Sequence, residues 1–370
     1  MDMRTVVPPS LAGPLQLTPF AATLMQPVLV GDPASARLFA RPWKGVEARI
    51  EQWDRRRRLM QDSDPALYLH EYSDGVTTVR GLVGLLELTT RAVDASVAAV
   101  VPHEEIHPRQ SDELVDRMAQ MALQPAPILL VHRGSAALKS LLAAVVLEAP
   151  TRQYADHAGH PHRIWALRDP DLLTSVSEAM ASSRAMIADG HHRYAAYLRM
   201  QARIPGGAYD RGLAFLVDQD VTPLAVGAIH RVLPRVTLAD IQAAARSIGA
   251  PFQFRPHELR PDAKRQRVVV TDGRRWATLD LTPTNGRALV EALHERLIPA
   301  LPRGPWDIEF HHEHDAALDA LRHRSAVALL LPPPAFDDIS TAAFSGRTLP
   351  EKATSFQPKP AVGSLMRIIR

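Results

Sequence analysis

The stretch Ala185-Met186-Ile187-Ala188-Asp189-Gly190-His191-His192-Arg193-Tyr194 constrains the chain more than any other. Arg184 to Ile187 reads as a short buried strand. Asp189-Gly190 is a turn pair, and Gly190 tolerates backbone angles that a side chain resists. From His191 the pattern becomes helical, with Tyr194, Ala195, Leu198 and Ala202 near one face. A helix start presents unpaired N–H groups and the positive end of the macrodipole, which suits an anion. Two histidines and an arginine add donors there. Asp189 sits easily beside a phosphate only when a metal or a hydroxyl lies between them. The stretch therefore predicts a phosphate site with a metal-binding or proton-transfer carboxylate at its edge. The plainer alternative is a helix whose Asp189 and histidines satisfy local backbone only.

Composition narrows the function classes. At 370 residues the chain can bury a large core and form two or three domains. It has no cysteine, which removes disulfides, thiolate metal sites and thiol nucleophiles. The net charge of +3 is small, and the only lysines are Lys44, Lys139, Lys264, Lys352 and Lys359. Arg55 to Arg58 is the one basic run, and it reads as a solvated helix face. No helix-turn-helix module or basic stripe appears, so nucleic acid is not an expected partner. The apolar run Ala136 to Ala149 is too short for a membrane span and contains Lys139 and Glu148. The start of the chain lacks a signal-peptide pattern, so a cytoplasmic location is expected.

Taken in order, residues 1 to about 45 predict an irregular lead-in with short strands at most, followed by a helix beginning near Lys44 and running over Val46 to Gln61. Leu67 to Tyr72, a turn at Ser73-Asp74-Gly75 and Val76 to Leu88 predict a hairpin. Val97 to Val101 predicts a strand, Asp112 to Leu123 a helix, Ile128 to Val131 a strand and Leu138 to Leu147 a helix. Tyr154 to His162 reads as a polar loop, His162 to Leu167 as a strand and Asp171 to Ala181 as a helix. Further on, Gly212 to Val217 and Leu224 to Val232 predict strands, with His230-Arg231 on the second. Thr237 caps a helix over Leu238 to Ile248, closed by Gly249. Gln266 to Val270 and Arg275 to Leu281 predict a hairpin about Asp272-Gly273. Helices over Ala288 to Ile298 and Asp315 to Arg324, then a strand over Val327 to Leu331, precede a prolyl stop. This alternation predicts a mixed α+β or α/β fold. The apolar residues from Val362 to Ile369 predict a C-terminal tail that is tied down.

Other clusters carry chemistry less firmly. Pro102-His103-Glu104-Glu105 lies between an apolar strand and an amphipathic helix, where a carboxylate can reach a cleft as general base or merely favour the helix start. His157, His160 and His162 form one histidine cluster, and His311, His312 and His314 another beside Glu313 and Asp315. Both read mainly as polar loop surface; a divalent metal on the second is the weakest of the functional readings.

In this order, Val100 to Leu114, Ile187 to Tyr194, the His230-Arg231 strand and Leu349 to Lys359 resemble the bacterial and archaeal family catalogued as domain of unknown function 1015. The resemblance runs from about Leu67 to the end, and the DGHHR core is its most specific part. Near the start, Gln26-Pro27-Val28-Leu29-Val30 stands where that family carries a proline-tyrosine-aspartate segment. More distantly, three of these segments are similar to the free-serine kinases of the SerK type. That resemblance implies a ParB/sulfiredoxin-like mixed-sheet core with an N-terminal extension and a second α/β lobe. The implied division is 1–66, 67–210, 211–332 and a C-terminal segment 333–370 returning to the site. It implies Glu104 as catalytic base, with Asp189 as a second catalytic residue and the metal ligand. It implies Gly190, His191, His192 and Arg193 as phosphate and nucleotide ligands, and Lys352, Thr354, His230 and Arg231 on the substrate side. Mg2+ and ATP or ADP are the implied cofactors. Ser355 and Phe356 stand where the kinases carry arginine and histidine, which removes a bidentate partner for a substrate carboxylate. A sulfiredoxin activity is excluded, because it needs a cysteine.

The expectation is thus a nucleotide-dependent phosphotransferase acting on a small hydroxylated metabolite. The alternative is a regulatory protein that binds a nucleotide or phosphometabolite without turnover.

Overall fold

The computed structural model describes residues 5–40, 45–262, 267–282, 287–302 and 307–369. Lys44, the expected start of a helix, and Lys264 and Gln266, around the expected start of a strand, lie outside those residues. The chain forms two compact units, one of residues 1–224 with 358–370 and one of residues 225–357. The architecture is mixed α+β, with a large mixed sheet in the first unit.

The strands of the first unit are β1 (Leu11–Ala12), β2 (Leu17–Thr18), β3 (Thr23–Met25), β4 (Leu59–Gln61), β5 (Leu67–Ser73), β6 (Thr78–Glu87), β7 (Ala98–Val101), β8 (Leu123–Gln124), β9 (Ile128–His132), β10 (Arg152–Ala155), β11 (Pro161–Leu167), β12 (Ala185–Asp189) and β13 (Arg211–Asp218). Its helices are α1 (Pro33–Ala40), α2 (Val46–Arg55), α3 (Pro108–Met121), α4 (Ala136–Leu147), α5 (Pro170–Ala181) and α6 (His191–Arg203). The main sheet runs β1-β7-β12-β9-β13-β6-β5-β11-β10, with β2 added on β6. Its central strands are continuous apolar runs buried on both faces, the pattern of a sheet covered on each side. Tyr194, Ala196 and Tyr197 of α6 join Ile128, Leu130 and Ile187 in one core.

Two parallel pairs decide where loops gather. β12 runs parallel to β7, with Ala185 opposite Val100 and Met186 opposite Val101. β9 runs parallel to β13 and antiparallel to β12. The loops after β7 and β12 therefore leave the same end of the sheet, the end where ligands settle in α/β sheets.

The second unit contains β14 (Ala225–Gly227), β15 (His230–Pro234), β16 (Phe252–Arg255), β17 (Val268–Thr271), β18 (Trp276–Leu279), β19 (Glu309–His311), β20 (Ala326–Leu330) and β21 (Ser355–Gln357), with α7 (Leu238–Ser247), α8 (Leu289–Ala292), α9 (His314–Asp319) and α10 (Phe336–Phe344). Its main sheet has the order β16-β18-β17-β20-β15-β19, and β14 pairs separately with β21. Thr237 caps α7 in a reciprocal box with Asp240. The tail then returns to the first unit, where β22 (Arg367–Ile368) pairs with β8 and Ile369 N–H donates to Ala122 O.

Several expectations are corrected. The helix read to Gln61 ends at Arg55, and Leu59 to Gln61 forms β4 on β3 instead. Arg57, at φ +53°, turns the chain there, and a run of four arginines offers no apolar face to carry a helix further. Tyr154 to His162 is mostly a hairpin of β10 and β11, its turn held by Asp156 Oδ1 accepting from Ala158 N and His160 N. The single strand read over Leu224 to Val232 is two strands in two sheets, β14 and β15. The helix read from Asp112 starts at Pro108, whose missing N–H costs nothing at the first helical position. Ala288 to Ile298 holds one α-turn, then a π-turn over Leu293–Leu297. The helix read to Arg324 ends at Asp319. Residues 5–18 are not a separate piece: β1 and β2 join the main sheet, and Val6 pairs with Ile106. The strand Arg211–Asp218, placed after the 210/211 boundary in the reading above, pairs with β6 and β9 in the first unit. Among the described residues no helix is long and apolar enough to cross a membrane.

Candidate functional site

The turn between β12 and α6 is built as its sequence suggests. Gly190 is the N-cap of α6 at φ 91° and ψ 29°, a conformation that favours glycine. It offers no side-chain cap, so the first-turn amides of a 13-residue helix must be satisfied from outside the helix. A Cβ at Gly190 would lie 2.9 Å from Arg193 Nη2, because that guanidinium folds back over the turn. Arg193 Nη2 donates to Asp189 Oδ2 at 2.9 Å, and Nη1 donates to Pro127 O at 2.7 Å and Ala126 O at 3.1 Å. The arginine thus binds the turn to the loop that enters β9.

Asp189 has a second cation. Lys359 Nζ, from the C-terminal tail, lies 2.5 Å from Asp189 Oδ1. Burial raises the Asp189 pKa, but Arg193 and Lys359 outweigh it and hold the carboxyl below its ordinary value. The carboxylate stays ionised with one cation on each oxygen.

The parallel register brings the second motif here. Beyond the pair Val101 and Met186, Glu104 and Asp189 each lie three residues on. The buried His103 donates from Nδ1 to Ile187 O at 2.6 Å, which fastens the loop after β7 to β12. Its Nε2 is 4.0 Å from Glu104 Oε2. This is not an ion pair: burial brings the His103 pKa down to about 4, against smaller opposing effects of Ile187 and Asp189, so the ring is neutral. With its proton on Nδ1, Nε2 has nothing to donate.

The two histidines of the turn do more than line it. His191 Nε2 accepts from the backbone N–H of His103 at 3.4 Å, and His192 Nε2 accepts from that of His107 at 3.2 Å. The His103 and His191 rings meet edge to face, 4.7 Å apart. Both imidazoles therefore hold the Glu104 loop. Glu105 Oε2 in turn accepts from Thr5 Oγ1 at 2.5 Å, so the segment ahead of β1 braces the same loop.

The other expected site residues belong to the second unit. His230 is buried, and its Nδ1 accepts from Leu331 N–H at 3.2 Å. Arg231 is fully buried, donating from Nη2 to Lys352 O at 2.9 Å and from Nε to His294 Nε2 at 3.3 Å, with Phe310 against its guanidinium. Lys352 sits at φ +56°, and Thr354 is half-buried. A cavity of about 240 Å3 in this unit is lined by Arg231, Arg287, Leu331, Asp338 and Ala353. Phe356 is buried in β21 against β14.

The histidine clusters have local partners. His162 packs under Tyr154 and pairs with His70 at 3.0 Å, and His312 Nδ1 lies 3.1 Å from Ser355 Oγ. Among the described residues no group of three or more His, Asp or Glu is disposed to hold a metal ion.

Lys359 is not among the individually expected site residues, although the C-terminal segment that carries it is expected to return to the site. Its signals were the prolines on either side and the apolar run behind it.

A family profile described as "Protein of unknown function (DUF1015)" matches residues 32–301. No curated protein sequence matches the chain. Among solved structures, a free serine kinase in complex with AMP is similar at 11% identity and a TM-score of 0.41, covering 72% of this chain and 88% of that one. A variant free serine kinase in complex with ADP has 12% identity and a TM-score of 0.41, covering 72% and 89%. SbnI with a C-terminal truncation, from Staphylococcus aureus, has 11% identity and a TM-score of 0.44, covering 76% and 85%. Likeness at this level carries no functional inference.

Proposed function

The chain belongs to the DUF1015 family, and on that premise we propose that it is a nucleotide-dependent phosphotransferase acting on a small hydroxylated metabolite. The observation that carries this reading is the parallel β7–β12 register, which delivers the Glu104 loop and the Asp189–Arg193 turn to one end of the sheet. The proposal includes a ParB/sulfiredoxin-like core for the first unit.

In this reading the nucleotide phosphates lie on the start of α6, against its first-turn amides and the Arg193 guanidinium. Gly190 lets them approach the backbone. His191 and His192 act chiefly by holding the Glu104 loop in place. Mg2+ accompanying the nucleotide would be held by Asp189 and would neutralise phosphate charge. The fit requires Asp189 to give up a cation, because both of its oxygens are paired. Glu104 accepts the proton of the acceptor hydroxyl as its oxygen bonds to the terminal phosphorus, and the bond from phosphorus to the departing nucleotide breaks. Such transfer depends on positioning more than on basicity. Lys352 and Thr354 belong to the second unit, where Arg231 Nη2 donates to the Lys352 carbonyl.

The test is nucleotide turnover with magnesium, ATP or ADP as donor, and a panel of free amino acids and other small alcohols. Acceptor-dependent transfer that disappears in Glu104→Gln supports the reading. Transfer at the wild-type rate in that variant removes Glu104 from the role of base.

One observation favours a second reading, a nucleotide- or phosphometabolite-binding regulator without turnover. Phe356 is buried apolar packing where the kinases carry a polar side chain. Nucleotide binding that survives Glu104→Gln, with no transfer to any acceptor, would select it.

A further inference from the structure

Lys359 has more structure around it than a surface ion pair requires. It lies between Pro358 and Pro360, which fix their own φ angles and restrict the residue before each. Tyr72 Oη donates to Pro358 O at 2.7 Å from a buried position on β5. On the other side, Met25 N–H donates to Gly363 O at 2.9 Å, and a Cβ at Gly363 would lie 2.8 Å from Met25 Cγ. The tail beyond is paired through β22. The backbone that carries the lysine is thus anchored on both sides, while the side chain itself stays 42% exposed. A stiff tether holding a solvent-facing ammonium is the arrangement of a ligand group. A lysine serving only to neutralise Asp189 would duplicate Arg193, which already pairs with the other oxygen.

The charges point the same way. Asp189, Arg193 and Lys359 together carry one positive charge in excess at the start of α6, where the helix dipole adds to it. Lys359 has fewer anchors than Arg193. Arg193 is held by two carbonyls as well as by Asp189, whereas among the described residues the Lys359 ammonium donates to Asp189 alone.

Resting on the phosphate-site reading above, we infer that Lys359 is a phosphate-binding residue whose ammonium passes from Asp189 to the terminal phosphate of the bound ligand. The passage leaves one Asp189 oxygen open. Lys359 therefore contributes to binding only when the ligand carries phosphate, and Tyr72 is a positioning residue that acts through the tether.

The experiment compares the full-length wild type with Lys359→Met, Lys359→Arg and Tyr72→Phe. Each is titrated calorimetrically with tripolyphosphate, ADP and adenosine at two salt concentrations. The expected result is a loss of roughly tenfold or more in Lys359→Met for the two phosphate-bearing ligands, the size of one charge-assisted hydrogen bond. Adenosine binding is unchanged, the salt dependence becomes shallower, Lys359→Arg recovers part of the loss, and Tyr72→Phe shows a smaller one. ADP binding by Lys359→Met equal to wild type overturns the inference and leaves the phosphotransferase reading intact. Lysine-dependent binding of tripolyphosphate without binding of ADP or adenosine keeps the inference and removes the nucleotide. No binding of any of the three by wild type overturns both.

Discussion

Replacing Gly190 by alanine perturbs the turn in two separable ways. The backbone holds φ 91°, where an L-residue is strained by about 1–2 kcal/mol. The new Cβ would also lie 2.9 Å from Arg193 Nη2 and 3.1 Å from Nε. Relief requires the guanidinium to move, and its tips hold Asp189, Ala126 and Pro127. Losing one such charge-assisted bond costs about 1.5–3 kcal/mol. Gly75 supplies the control: its φ is +89° and nothing lies within 4 Å of its would-be Cβ. Gly75→Ala therefore incurs the backbone strain alone, with the same change in unfolded-chain entropy. Native-state hydrogen exchange of the β9 and β12 amides reads the first unit directly. Gly190→Ala should be less stable than Gly75→Ala by about 1.5–3 kcal/mol, and the difference should vanish when both are made in an Arg193→Ala background. Equal losses in the two glycine variants, within about 0.5 kcal/mol, would refute the clash with Arg193.

Other expectations follow from buried groups. His103 has a folded pKa of about 4 against an ordinary 6.5, so the unfolded chain binds its proton first as pH falls. Its contribution is fully present above pH 6.5 and is lost on acidification, on the order of 2 kcal/mol between pH 7.5 and 5. Urea midpoints at the two pH values check this; a His103→Gln protein losing as much as wild type would contradict it. In the second unit, Arg231→Lys should weaken β15 and β20 by about 2–3 kcal/mol, because lysine cannot hold Lys352 O and His294 together. Hydrogen exchange should show that loss in the second unit and none in the first.

Legibility in the sequence followed the range of the interactions. The strand, turn and helix from Ala185 to Arg203 were readable because glycine, burial period and helix face act within a few residues. The same holds for the hairpin of β5 and β6 and for the Thr237 cap. The break between β14 and β15 follows Gly227, and it was missed because one glycine inside an otherwise apolar run is a weak stop signal. The histidines of the turn were ambiguous for a chemical reason. A neutral imidazole donates at one nitrogen and accepts at the other, and His191 and His192 are fixed as acceptors by amides 88 and 85 residues away. Lys359 meets Asp189 across 170 residues, and no local pattern encodes such a meeting.

These long-range contacts change which groups remain to meet a ligand. With both Nε2 atoms given to the Glu104 loop, the imidazoles act on that loop's position, and the turn's positive character comes from elsewhere. It comes from the α6 dipole, from an arginine fixed by carbonyls, and from a lysine carried on a stiff tail. The loop that the histidines hold carries Glu104, and the strand register carries that loop to the same end of the sheet as Asp189. Under the phosphotransferase proposal, substituting His192 by alanine would therefore act on transfer through the position of Glu104 more than on nucleotide affinity. A variant that binds nucleotide as wild type does but transfers phosphate poorly is the signature of that division.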